Sequence, residues 1–232
     1  MVNNAIDHSD GTVFTVRVRR ELDSIVIFIL DNGEGIFRWI TRLCDLVDER
    51  QAIIELSKGK LTTDPSKHSG QGIFFTSKMF DSFVIDSFGL EYSHDHSANF
   101  DWLHEIETDK NIGTAIYMKI SLNSTRTVKE VFDEYTAGED DDFSFNKTVV
   151  PVKLAIFGHE QLVSRSQAKR LLARIENFKI VLFDFDGVDQ IGQAFADEIF
   201  RVYKLRYPEI TLLDTNSSDE VKAMIKRAQA DL

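Results

Sequence analysis

The period of apolar and polar positions changes several times along the chain, and each change predicts an element. Residues 12–20 alternate, with Val13, Phe14, Thr15, Val16 and Val18 in a β-rich run, and 24–30 are continuously apolar. Joined across 20–23, the two predict a hairpin whose second strand is buried. Residues 38–54 have helical spacing through Trp39, Ile40, Leu43, Leu46, Val47 and Ile54. Residues 57–69 are polar, hold Gly59 and Pro65, and predict a mobile loop. A helix is predicted over 73–80, just after glycines, and strands over 83–88, around Tyr92, over 98–103 and over 114–122, in one mixed or antiparallel sheet. Residues 2–8 are too short to assign, though Gly11 supplies a stop.

The second half alternates regularly. A strand over 149–157 is followed by a helix from Ser164 with Ala168, Leu171, Leu172 and Ile175 on one face. A buried strand over 179–185 precedes a helix over 191–205 with Phe195, Ile199 and Val202 inward. A strand over 210–213 and a helix over 218–228 complete a βαβαβα order, which predicts a sheet covered by helices. Four acids at 139–142, after Gly138, read as a solvated linker. The chain is therefore read as α/β (α+β), with a first domain over 1–138, an acidic linker over 139–146 and a second domain over 147–232.

Charge sharpens this division. The net charge is −11, and residues 1–146 carry −12 of it against +1 for the rest. Such a first half repels nucleic acid at long range, which argues against direct nucleic-acid binding. It also repels nucleotides, so a nucleotide site here must rely on local amides and a cation. With one cysteine, Cys44, no internal disulfide forms. No apolar run is long enough to cross a bilayer, and no signal peptide is visible. A cytoplasmic location without membrane association is expected.

Three short phrases carry the candidate chemistry. Asp31 closes an apolar strand and is followed by Gly33 and Gly35. A carboxylate there can accept the proton of a purine amine, and glycines let backbone approach a flat ring. Gly70, Gln71 and Gly72 precede an apolar helix, whose N-terminal amides suit phosphate. Asn4 and Asp7 lie one helical turn apart, and the Asn4 amide oxygen suits Mg²⁺. Each phrase alone is weak. Their order and context make the combination specific.

Together these phrases make residues 1–122 resemble the GHKL ATPase family of gyrase, the heat-shock chaperone, sensor histidine kinases and mismatch-repair ATPases. Asn4-Ala5-Ile6-Asp7 looks like its N box, Asp31-Asn32-Gly33-Glu34-Gly35-Ile36 like the box that reads adenine, and Gly70-Gln71-Gly72 like the lid-closing glycine box. Gly113-Thr114 looks like the late Gly-Thr whose threonine supports the adenine-site aspartate. The resemblance implies a Bergerat-type α/β sandwich with a mixed sheet, a lid over 36–69, and ATP and Mg²⁺ as ligands. Asn4, Asp7, Asp31, Gly33, Gly35, Gly70, Gln71, Gly72 and Thr114 would be the binding residues, with Asn4 on the metal. The family's E-x-x-x-N glutamate would fall one position before Met1, so an upstream start is expected; without that general base, hydrolysis is not.

Residues 147–232 resemble a STAS-like domain, on Phe183-Asp184-Phe185-Asp186-Gly187-Val188, Ile191-Gly192-Gln193 and Phe195-Ala196-Asp197-Glu198. In STAS-type antagonists a phosphorylatable serine opens the following helix. Here 191–194 hold no Ser or Thr. Asp184 and Asp186 as a phosphatase-like pair are the minor reading. His94, His96 and His104, with Asp95 and Asp101, could hold a metal but read as a solvated loop. His8 reads as a capping or surface histidine. The expected function is a bacterial-type signalling or transcription regulator, in which ATP closes the lid and alters how the STAS-like domain meets a protein partner. The alternatives are an ATPase or an anti-sigma or histidine-kinase-like protein kinase, and a pure interaction module with a decayed pocket. A homodimer is left open.

Overall fold

A computed structural model describes residues 1–61, 70–98, 100–106, 113–136 and 144–230. The chain forms two compact units, Met1–Val131 and Phe132–Leu232. The acidic run at 139–142 and residues 62–69 of the expected loop lie outside the described residues.

The first unit opens with α1 (Val2–His8), then β1 (Phe14–Arg20) and β2 (Ser24–Asp31). The two strands form the expected hairpin, in register from Phe14↔Asp31 to Arg20↔Ile25. Three helices follow: α2 (Ile36–Cys44), α3 (Glu49–Lys58) and α4 (Gly72–Met79). Where one helix was expected over 38–54 there are two. Asp45 takes a left-handed conformation, φ 51°, and ends α2, while the Asp48 side chain accepts the Gln51 N–H and starts α3. The meander follows as β3 (Ser82–Ser87), β4 (Leu90–Asp95), β5 (Phe100–Glu105) and β6 (Ala115–Ser121), and α5 (Val128–Glu134) spans the boundary in sequence between the two units.

The six strands lie in the order β1-β2-β6-β3-β4-β5. Every bonded pair is antiparallel, so the sheet is not mixed. The reason is topological. β2 and β3 run the same way because α2–α4 cross between them, but β6 inserts between the two and is antiparallel to both.

One face of this sheet holds the core. Ile29, Ile116, Met118, Phe83, Ile85 and Tyr92 cluster with Ala5, Phe37, Ile40, Ala52, Ile53 and Leu56 from the helices. The opposite face is open in part: Phe28 and Leu30 are each 42% exposed. β2 was expected to be buried along its whole length. A sheet with helices on one face leaves alternate side chains toward water.

The second unit holds β7 (Lys147–Pro151), α6 (Arg165–Leu172), β8 (Ile180–Asp184), α7 (Gln193–Asp197), α8 (Lys204–Arg206), β9 (Thr211–Thr215) and α9 (Asp219–Gln229). The parallel sheet runs β7-β8-β9. β7 stops short of the expected 157 because a 3-10 turn over Val152–Ala155 follows Pro151. Ser164 and Gln167 form a reciprocal capping box on α6. Between α7 and α8 the helix widens to π geometry over Glu198–Tyr203. Among the described residues, no helix is long and apolar enough to cross a membrane.

Candidate functional site

Residues from widely separated stretches of the first unit meet at one cavity of ≈330 Å³. Asn4 reaches it from α1, Asp31 from the end of β2, Gly70 and Gly72 from the start of α4, and Thr114 from the approach to β6. Ile36, Ile40, Leu56 and Ile116 supply apolar wall. The volume lies at the lower end for small-molecule sites, and an apolar lining with few polar groups is their usual composition.

Asp31 is 5% exposed. Its Oδ1 accepts the Gly33 N–H at 2.9 Å and the Thr114 N–H at 3.1 Å. The Thr114 carbonyl takes the Asp31 N–H at 3.0 Å, and its hydroxyl Oγ1 takes the Ile36 N–H, also at 3.0 Å. Thr114 thus fixes both the carboxylate and the first turn of α2. Among the described residues no hydrogen bond engages Oδ2, so a cavity-lining side chain held through Oδ1 keeps one acceptor oxygen uncommitted. Gly113 makes this packing possible: a Cβ there would stand 2.2 Å from the Asp31 carbonyl.

At the other end of the cavity, α4 begins with Gln71 as N-cap and no side-chain cap. Its first amides therefore lack an intrahelical partner. Gly70, at φ +66°, packs against the Leu61 backbone. A Cβ on Gly72 would meet nothing within 4 Å, so its backbone is open. Among the described residues the Asn4 side chain makes no hydrogen bond.

Four of the expected residues do not line the cavity. Asp7 is exposed. On a 3.6-residue helix position i+4 lies closer to the axis of a face than i+3, and His8, four residues after Asn4, is the one that lines it. His8, half-buried in the last turn of α1, packs on Trp39 with the rings tilted and 4.7 Å between centroids. Gly33 holds Asp31 from behind and packs on Ser9, whose carbonyl a Cβ would strike at 1.9 Å. Gly35 (φ +89°) lies under the Phe88 ring, 2.5 Å from a Cβ position, and precedes α2. Gln71 caps α4. Trp39, Cys44 and Leu61 were not expected at the site. The helical pattern marks Trp39 as inward but not what it faces.

The histidine cluster is not a solvated loop. His94 lies in β4 and is buried. Its Nδ1 is 3.1 Å from Asp101 Oδ1 and 3.2 Å from Lys78 Nζ, and the Tyr92 hydroxyl donates to Asp101 at 2.6 Å. His96 is exposed and His104 lies on β5. No cluster suited to a metal ion occurs among the described residues. Burial, then the Lys78 charge, push the His94 imidazole below its ordinary value despite the Asp101 bond. Burial opposes ionisation of Asp101, but Lys78, His94 and Tyr92 together hold its carboxyl well below the usual range.

In the second unit Asp184 ends β8 and accepts the Asp186 N–H at 3.1 Å and the Asn216 side-chain amide at 2.9 Å. It is a loop anchor between the carboxyl ends of two parallel strands. Fold and local pattern together define a small α/β unit. Residues 167–222 match the family model of the STAS-like domain of unknown function (DUF4325). Comparison of the chain with curated proteins gives no match.

Proposed function

We propose that the first unit is a GHKL-type, Bergerat-like module that binds ATP with Mg²⁺, and that nucleotide occupancy regulates the STAS-like unit. The observation that carries this reading is the convergence of Asn4, Asp31, Gly70, Gly72 and Thr114, up to 110 positions apart in sequence, on one cavity. The antiparallel order of the sheet departs from the mixed sheet that the family resemblance implies. The reading therefore rests on the cavity rather than on the topology.

The donor set fits the ligand. Asp31 Oδ2 accepts the adenine amine, and Ile36, Ile40 and Ile116 cover the ring. Phosphates rest on the uncapped amides at the start of α4. The Asn4 oxygen and the phosphates hold Mg²⁺, which offsets phosphate charge in an acidic unit. Asp31 is the only carboxylate among the described lining residues, and it is committed to the base. The proposed activity is therefore binding and signalling, with the partner engaged through the STAS-like unit.

Calorimetric titration with Mg-ATP tests this. Wild type is expected to bind, and Asp31→Ala to lose about tenfold or more in affinity, the worth of a buried charge-assisted hydrogen bond. Absence of heat and of competition by ADP in the wild type overturns the reading.

A further inference from the structure

The first unit buries one cluster of titratable groups that the nucleotide reading does not use. Lys78 is in the last turn of α4, His94 is on β4 and Asp101 is on β5, and all three are buried. Lys78 Nζ donates to Asp101 Oδ2 at 3.2 Å and stands 3.2 Å from His94 Nδ1, which is 3.1 Å from Asp101 Oδ1. The Tyr92 hydroxyl donates to the same carboxylate. Asp95 follows His94 on β4. From α3, which packs on α4 and β5, come Arg50, paired with Glu105, and the buried pair Glu55–Lys58.

This arrangement suits a neutral imidazole. One carboxylate balances one ammonium, and the neutral ring uses Nδ1 either to donate to Asp101 or to accept from Lys78. His94 Nε2 is buried with no hydrogen-bond partner among the described residues. A second proton therefore places an N–H where nothing accepts it, and an imidazolium 3.2 Å from an ammonium, with one carboxylate for two cations. His94 and Asp101 face each other across the β4–β5 ladder and cannot part without breaking it. Lys78 is on a helix of eight residues. The C-terminal end of that helix is held by Arg126, which donates to the Met79 carbonyl and to Asp81. Its N-terminal end has no side-chain cap and lines the cavity through Gly72. The end free to move is the end at the cavity, about 9 Å along the axis from Lys78.

We propose that Lys78, Asp101 and His94 form a proton-operated latch on α4: a neutral His94 leaves the helix held on the sheet, and protonation of His94 frees the helix and with it that end of the cavity. Release of α4 stands on the cluster alone. Its consequence for the nucleotide, weaker binding in acid, rests on the reading of the cavity given above. Burial and the Lys78 charge depress the His94 value, so the latch is closed above the ordinary histidine value of 6.5 and opens as pH falls below it toward the depressed one.

Hydrogen–deuterium exchange of the full, nucleotide-free chain at about pH 7.5 and about pH 5, corrected for intrinsic rates, tests the release. The amides of 72–79 are expected to lose protection by about tenfold or more in acid, with β2 and β6 unchanged. In His94→Gln the loss is expected to vanish because nothing titrates there. In Lys78→Met it is expected to vanish because an imidazolium then pairs with Asp101 in place of the ammonium. Equal protection of α4 at both pH values in the wild type overturns the proposal, whether or not either variant folds. A loss shared equally by β2 and β6, or one that persists in either folded variant, overturns it too. Titration with Mg-ADP is the separate arm for the site: affinity is expected to fall about tenfold further in acid for wild type than for His94→Gln. Weakening that is equal in the two overturns the control of the cavity by the latch. Absence of binding at both pH values overturns the nucleotide reading instead, and the exchange of α4 still decides the latch.

Discussion

At the residue scale, two side chains are held by their neighbours: Asp31 by the Gly33 and Thr114 amides, and His94 between Asp101 and Lys78. Asp31, Asn4 and the glycines at 70 and 72 stand out because each sits at an element boundary where its side chain or its lack of one has a local meaning. His94 and Asp101 have no local meaning. They meet because β4 and β5 pair with His94 opposite Asp101. The network makes a prediction. The folded-state value of His94 is depressed, so the unfolded chain binds a proton that the folded chain does not. Stability from this group is present above the ordinary histidine value of 6.5 and is lost as pH falls below it toward the depressed one. The melting temperature is expected to decline over that window, and the decline to flatten in His94→Gln. An unchanged slope in that variant assigns the pH dependence to other groups.

At the element scale, periodicity found nearly every strand and helix and misplaced their joints. The break between α2 and α3 depends on Asp45 adopting φ 51°, which no apolar spacing reveals. β7 ends at a proline that the apolar run 149–157 conceals. The parallel direction of the second sheet was legible, because helices alternate with its strands. The order of the first was not, because β6 enters between strands that precede it. The start of α4 separates fold from function experimentally. A methyl group on Gly72 meets nothing within 4 Å, and alanine favours a helix. Gly72→Ala is therefore expected to leave stability unchanged or raise it by about 0.5 kcal/mol, while weakening Mg-ATP binding by crowding the phosphates. Gly70→Ala places a Cβ 2.5 Å from the Leu61 carbonyl at φ +66° and is expected to cost about 1–3 kcal/mol in urea denaturation. If Gly72→Ala binds Mg-ATP as wild type does, the phosphates do not rest on that turn.

At the scale of the whole molecule, two units with separate sheets predict two unfolding transitions by calorimetry. A ligand that binds only the folded first unit stabilises that unit by about 2.7 kcal/mol when present at a hundred times its dissociation constant. Binding alone moves one transition. Regulation requires more, because a signal from the cavity to the STAS-like unit is a coupling free energy, and coupling acts on both sites by the same amount. Saturating Mg-ATP is therefore expected to raise the first transition strongly and to shift the second by about 1 kcal/mol in its free energy, in either direction. Asp31→Ala is expected to abolish both shifts together. A first transition that moves while the second stays fixed would retain the nucleotide site and remove its regulatory role. Shifts of the second transition that survive in Asp31→Ala would place the ligand on the STAS-like unit instead.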